Sequence, residues 1–397
     1  MSSDGKTHSK LLAVKTRDSM NELLTADMPT SANKQTAAQR AQSHHETHKV
    51  GVAPGSLVHV GEIKVVKPSI KLFDYDDANL NEVSFPSIEE SRAYTRQNKF
   101  WWLNVHGLQN TDIMAEIGGR FGLHPLVLED IVNTQQRPKL EDYGHYLFVV
   151  LKAFAYKPDE HDCSPEQISL VLGPDFVLSF QERPTGVFDP IRERLRQSGG
   201  LLRKGGPDIL LHALIDAVVD RYFVVTHALS EDIETLEESL IASTPHNAIE
   251  SINHLKHEML ELRRSIWPTR EVLSGLLRTS GDLIRPETGP YFRDIYDHCV
   301  HVIEQLDSLR ELISDLLDIH LSNVSFRLNA EVRLLTMVTT MLAPATLITG
   351  FFGMNFHQMP WLERTDGWEL AIIAILLAGI ALLGVLLWRN RLARAVK

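Results

Sequence analysis

Cysteine is nearly missing from this 397-residue chain: Cys163 and Cys299 stand far apart and form no CxxC pair. Their scarcity argues against a disulfide framework or a structural zinc site and fits a reducing, cytosolic bulk. Positive charge is also short. A formal charge of −11 argues against nucleic acid as the main partner, whose phosphates need clustered lysine and arginine, and suits cations better. Neither a GxxxxGK[ST] loop nor a GxGxxG after a strand occurs, so ATP-driven pumping by this chain is not expected. No nucleophile, base and orienting group meet in a recognisable motif, so the chain is not expected to be an enzyme. The opening MSSDGKTHSK lacks the apolar run of a cleaved signal peptide, which leaves targeting to the apolar C-terminal part.

What is present is unevenly distributed. Residues 1–55 are rich in Ser, Thr, Gln, Ala and His and poor in aromatics, a composition that cannot bury enough apolar area to offset ordering entropy and predicts a mostly disordered tail. His44, His45 and His48 there have a spacing that could hold a metal on a transient helix, or are incidental histidines of a soluble tail. Residues 56–206 alternate β-like runs (LVHVGEIKVV, KFWWLNV, HYLFVVLKAFAY, QISLVLG, FVLSFQE) with helix-like DIMAEIGGRFG and PLVLEDIVN, which predicts a cytosolic α/β domain. From 207 to 289 the apolar residues recur every three or four positions, as a helical region requires.

Between Pro290 and Pro344 there is no glycine or proline, so a stalk helix rising ~1.5 Å per residue could run on the order of 80 Å. Ile295, Cys299, Val302, Leu306, Leu309, Ile313 and Leu316 alternate four and three apart, a heptad seam that calls for partner helices. Opposite lie Glu304, Asp307, Glu311, Asp315 and Asp318; residues 287–320 hold eight acids against two bases. Such a stripe is either a solvated face or a collector of cations.

Residues 332–352 and 368–388 are each 21 long and almost free of charge. About 20 apolar helical residues cross a hydrocarbon core ~30 Å thick, so both are candidate transmembrane helices joined by a loop, 353–367. Arg389, Arg391, Arg394 and Lys397 form a basic tail over 389–397, and the positive-inside rule then puts both termini in the cytosol and the loop outside. The second span is nearly uniform Leu, Ile and Ala, as a lipid-facing helix would be. The first carries Thr336, Thr339, Thr340, Thr346 and Thr349, whose hydroxyls either line a polar path or bond back to their own helix. Following the Asp318 face upward gives Asn329, Val332, Thr336, Thr340, Ala343 and Thr346. One such helix cannot enclose a pore, so several copies must meet around an axis.

The first span ends in Gly353-Met354-Asn355. This GMN tripeptide between two C-terminal spans, together with HPLVLEDI, QQRPK, LIDAVVDRYFV, ELRRSIWPTREVLS, YFRDIYDH and LLDIHLSNVS, resembles the CorA family of magnesium and cobalt transporters over essentially everything after about residue 55. The resemblance implies an α+β membrane protein: a cytosolic α/β domain, long helices, and a stalk helix running into the first of two transmembrane helices, assembled as a funnel-shaped homopentamer in the cytoplasmic (inner) membrane. It implies passive, channel-like uptake of Mg²⁺, with Co²⁺ and Ni²⁺ as further cargo. Gly353, Met354 and Asn355 would form the selectivity loop. Asp318, Asn329, Val332, Leu335, Thr336, Thr340, Ala343 and Thr346 would line the pore. Regulatory Mg²⁺ between subunits would be held by Glu129, Asp130, Asp216, Asp220 and Asp294. A zinc transporter of the same superfamily and a non-transporting membrane scaffold or sensor are the alternatives; Met354 favours magnesium over zinc.

Overall fold

The computed structural model describes residues 53–65, 67–157, 162–242, 247–279, 281–354 and 366–395. The histidine-bearing tail up to residue 52, Asn355 with the loop to 365, and Lys397 lie outside the described residues. The chain divides into two compact units, one holding the segment up to Glu231 with His257–Ser308, the other Asp232–Lys256 with Leu309–Lys397.

The first unit is built on a seven-stranded sheet. Its strands are β1 (Ser69–Tyr75), β2 (Leu80–Phe85), β3 (Phe100–His106), β4 (Lys139–Asp142), β5 (Leu147–Lys157), β6 (Asp162–Leu172) and β7 (Phe176–Gln181). Their spatial order is β2-β1-β3-β7-β6-β5-β4. Every neighbouring pair is antiparallel except β3 and β7, which run parallel with Leu103 opposite Leu178. A parallel pair needs a long crossover, and the chain between β3 and β7 supplies one that contains two helices and three strands. α1 (Ile88–Arg92) precedes β3; α2 (Thr111–Phe121) and α3 (Pro125–Val132) follow it.

Local chemistry sets the ends of these helices. Asn110 caps α2 by accepting from the amides of Asp112 and Ile113, and Gly122 ends it at φ 65°, a left-handed conformation that glycine adopts without Cβ strain. α3 starts with Pro125 in its first turn and with His124 accepting from the Leu126 amide. Ile113, Met114, Ile117, Val127 and Ile131 from these two helices share one buried cluster with Leu72, Val105, Phe148 and Phe180 of the sheet.

The run LVHVGEIKVV, read as a strand, is not one. Val60 alone makes an isolated bridge, to Asn133, while Ile63 is exposed. Gly61 breaks the extension with φ 133° and lies against Thr134, where any side chain would collide with its hydroxyl. The sheet begins instead with β1 and β2, whose alternation is blurred because SIKLFDY is buried at five of seven positions.

After α4 (Asp189–Arg196) and α5 (Leu201–Lys204) come two long helices, α6 (Pro207–Ala242) and α7 (Ala248–Arg278). Tyr222 of α6 donates to the Lys152 carbonyl of β5 at 2.7 Å, and Glu258 of α7 accepts from the Cys163 amide of β6 at 3.0 Å. Asp208, buried at the start of α6, takes the Arg285 guanidinium at 2.7 Å and the Thr288 hydroxyl at 2.6 Å. That clamp fixes the turn leading into α8 (Gly289–Phe352), a single helix of 64 residues. Its heptad positions Ile295, Cys299, Val302 and Leu306 are buried within the first unit.

The second unit holds the ends of α6 and α7, the rest of α8, and α9 (Gly367–Ala395). Leu309, Ile313 and Leu316 continue the buried seam, and Asn323 donates to the Leu240 carbonyl at 3.0 Å. Beyond that point α8 stands bare. Among the described residues it is the one helix long and apolar enough to cross a membrane, and none of its most apolar stretch is buried; in α9 a shorter apolar stretch spans Gly367–Leu382.

Candidate metal centre

Asp216 and Asp220 stand one turn apart on α6, and His298 faces them from α8; one ligand atom from each lies within 4.8 Å of the other two. Helical geometry explains the pairing, since residues four apart share a face. His298 is located by the seam: it lies next to Cys299, and its ring meets the Phe223 ring edge-on at 5.9 Å. Its Nδ1 is buried without a hydrogen-bond partner, and its Nε2 is 4.0 Å from Asp294.

The electrostatics are those of a site short of positive charge. Burial pushes the Asp216 carboxyl above the usual carboxylate range, with Asp294 adding to the rise against His298 and Arg194. Asp220 is raised too, by burial first and then by Asp216. A divalent cation would relieve both effects, because it favours the ionised form of each carboxylate. Two oxygens and one imidazole nitrogen form a mixed set. Mg²⁺ prefers oxygen and keeps its waters, whereas imidazole suits Co²⁺ and Ni²⁺ better. Both cation classes therefore fit, Mg²⁺ with the imidazole meeting one of its waters.

The five acids expected to bind metal are not gathered in one place within a chain. Asp216 and Asp220 meet, and Asp294 reaches their group through His298. Asp130 on α3 is already engaged by Gln136 and by Lys139, both at 2.6 Å, while Glu129 accepts from the Gly55 amide at 2.8 Å. His298 itself escaped the sequence reading, although its spacing of four from Asp294 in YFRDIYDH put both on one helix face.

Along α8 in the second unit, Asp318, Asn329, Val332, Leu335, Thr336, Ala343 and Thr346 are exposed or half-exposed, and Thr340 is half-exposed. The threonines bond back to their own helix. Thr336, Thr339, Thr340, Thr346 and Thr349 donate to the carbonyls of Val332, Leu335, Thr336, Leu342 and Ala345 at 2.7, 2.8, 2.7, 3.0 and 2.8 Å. With the proton spent internally, each hydroxyl oxygen turns only lone pairs outward, an acceptor surface suited to a hydrated cation. The helix ends where Gly353 donates to the Thr349 carbonyl at 2.9 Å; an added Cβ there would crowd that oxygen at 3.2 Å.

Known proteins share this chain's sequence pattern and fold. The sequence profile of the CorA-like Mg²⁺ transporter protein family matches residues 97–390, from β3 through α9. The chain belongs to that family. The cobalt/magnesium transport protein CorA of Thermotoga maritima is 39% identical over 343 residues, which are 86% of this chain and 97% of that protein. The Bacillus subtilis putative metal ion transporter YfjQ is 33% identical over 290 residues, 73% of this chain and 88% of its own length. The complete structure of the CorA magnesium transporter from Methanocaldococcus jannaschii superposes with a TM-score of 0.67 at 20% identity, covering 81% of this chain and 97% of that one, and so shares the fold. The CorA-family match contains both α6 and α8, hence the acidic cluster and the bare apolar helix together.

Proposed function

We propose that this CorA-family chain is a passive, channel-like importer of Mg²⁺, also passing Co²⁺ and Ni²⁺, that works as a homopentamer in the cytoplasmic membrane with both termini in the cytosol. The observation that carries the reading is the family match across α8, whose stretch from Val332 to Phe351 holds no buried side chain among the described residues. Residues 332–352 and 368–388 are the two spans, and the first of them surrounds the shared path. Asp318 and Asn329 form polar rings on the cytosolic side, Thr336, Thr340 and Thr346 line the way with outward lone pairs, and Val332, Leu335 and Ala343 form an apolar constriction that gates by dewetting. Gly353, Met354 and Asn355 form the outer selectivity loop, where a ring of Asn355 amide oxygens hydrogen-bonds the waters of the hydrated ion. Mg²⁺ holds those waters tightly, so recognition without full dehydration is the less costly route. Influx needs no ATP, because a divalent ion gains about 4.6 kcal/mol per 100 mV of inside-negative potential.

Regulation in this reading rests on Asp216, Asp220 and Asp294, with His298 beside them, and on Glu129 and Asp130 toward a neighbouring subunit. Intracellular Mg²⁺ would supply the charge neutralisation these groups lack. Left empty, the carboxylates repel and loosen the assembly. The test is flux into proteoliposomes loaded with a Mg²⁺-sensitive dye. Asn355→Ala is expected to abolish flux while the oligomer stays assembled; undiminished flux would favour a scaffold, and Zn²⁺ flux without Mg²⁺ flux would reassign the cargo.

A further inference from the structure

A cavity of about 680 Å³ opens in the first unit between the loop 134–138, the β5–β6 face and α7. Its walls are rich in charge, and most of that charge is already paired. Lys64 binds Glu182 at 2.9 Å, and Arg264 binds Glu261 at 3.1 Å. Two cations remain. Lys152 of β5 donates to the Thr134 carbonyl at 2.5 Å, which accounts for one of its three N–H groups. Arg137, at the rim, has no carboxylate partner among the described residues. Among the described residues of the wall, the sole uncompensated acid is Glu62, which faces solvent.

A second cavity of about 510 Å³ adjoins this one, shares Arg137 and Pro138 with it, and adds Arg278; of its other charged residues, Lys139 is paired with Asp130 and Glu141, and Glu271 with Arg270. Arg137 thus stands where the two meet. In a chain of net charge −11, this stretch is locally cationic. A cation is a poor occupant, because among the described residues Glu62, Glu182 and Glu261 form no group whose ligand atoms converge.

We propose that this cavity binds a phosphate-bearing anion, with Lys152 as its half-buried anchor and the Arg137 guanidinium as the fork that closes on a second phosphoryl group. Arg is suited to that bidentate role, and Lys to that of a point charge. The volume fits a ligand of pyrophosphate to nucleotide size.

The site carries its own titration signature. Burial first, with Lys64 adding to the fall and Glu182, Glu261 and Glu166 opposing it, pulls the Lys152 ammonium down to about 8. A guanidinium keeps its charge across this range, but Glu166, pushed up to about 7 by burial, and pyrophosphate itself both titrate within it, so the lysine's share is the difference in proton uptake between wild type and Lys152→Met. An anion seated against Lys152 favours its protonated form, so binding near pH 8 draws in a proton, and binding near pH 6, where Lys152 is already charged, does not.

The experiment is isothermal titration of pyrophosphate into the full chain in detergent, in metal-free buffers of differing ionisation heat. Binding below about 1 mM is expected, with proton uptake at pH 8. Lys152→Met should weaken it about tenfold or more and remove the uptake specific to the wild type. Arg137→Gln, at the rim, should weaken it severalfold and keep the uptake. Asp216→Ala should leave it unchanged, which separates this site from the metal centre and from the transport reading. No heat up to about 5 mM, wild-type affinity in Lys152→Met, or identical proton uptake in that variant would each overturn the proposal.

Discussion

The two units of this chain solve the problem of burial in opposite ways. In the first, the sheet and its helices close on themselves: Trp102, Phe148, Phe180 and Tyr222 are each fully buried. Buried polar groups there mostly find partners too, as Trp102 does in donating to the Ser179 hydroxyl at 2.8 Å. In the second, α8 leaves Leu335 67% and Leu347 76% exposed, on one unbroken helix. A helical stretch that satisfies its own amides yet, past His320, buries no side chain among the described residues is complete as secondary structure and unfinished as tertiary structure. The difference assigns roles. The first unit is stable by what it contains, the second by what surrounds it.

Truncation should separate the two most sharply. Trp102→Ala is expected to cost about 3–5 kcal/mol, since Trp102 stacks on Phe73 at 4.8 Å and meets Phe188 edge-on at 6.1 Å. Leu347→Ala should shift unfolding of detergent-solubilised monomer by about 0.5 kcal/mol or less. Denaturant titration of both variants checks the contrast, and equal losses would mean that the α8 surface is buried within one chain after all.

The next effect concerns the candidate metal centre, where the His298 Nδ1 is buried without a hydrogen-bond partner. Asp216→Ala removes one of three candidate ligands and is expected to raise the Mg²⁺ or Co²⁺ concentration for half-saturation by about 10–100-fold, read from thermal shift against metal. Without metal the same variant should melt no lower than wild type, because the raised Asp216 carboxyl marks a charge that the fold holds at a cost. A metal-free loss as large as the metal-bound loss would make Asp216 a structural residue.

How much of this was legible in sequence follows the same division. The heptad seam from Ile295 to Leu316 and the apolar run of α8 were readable because both depend on periodicity along one helix. The Asp216 and Asp220 pair came only with the resemblance of LIDAVVDRYFV to the CorA family. His298 was harder, since its role depends on α8 meeting α6, a contact no local pattern states. β1 and β2 were lost for a related reason: β1 is buried on both faces, so its strand loses the alternation that LVHVGEIKVV counterfeits until Gly61 breaks it. The back-bonded threonines were foreseen as one of two outcomes, and they are the one observed.

Acid should expose a smaller effect at the same centre. Both carboxyls are raised, so they take up protons at a higher pH than ordinary carboxylates as acid is added. Protonation stabilises the empty fold: that contribution is fully present below the unfolded carboxylate range and is lost as pH rises through the raised values. Metal binding runs the other way, because a protonated carboxyl is a poor ligand. The gain in melting temperature from Mg²⁺ should therefore shrink as pH falls toward the raised range, before ordinary surface carboxylates titrate. A gain that persists down to the normal aspartate range would place the metal elsewhere.

The smallest effect expected lies on α8. Thr340 donates to the Thr336 carbonyl at 2.7 Å, so its proton is committed and only its oxygen lone pairs are available to a passing ion's waters. Thr340→Val keeps the shape, removes the acceptor and leaves the Thr336 carbonyl its own helical partner, so assembly and helix content should hold while flux falls severalfold, far short of the loss in Asn355→Ala. Thr340→Ser restores the oxygen and should restore the rate. If Thr340→Val transports as well as wild type, the threonine face serves the helix and not the path. If both substitutions fail equally, the side chain acts through packing against a neighbouring copy, and the bare surface of the second unit is covered there by protein instead of water.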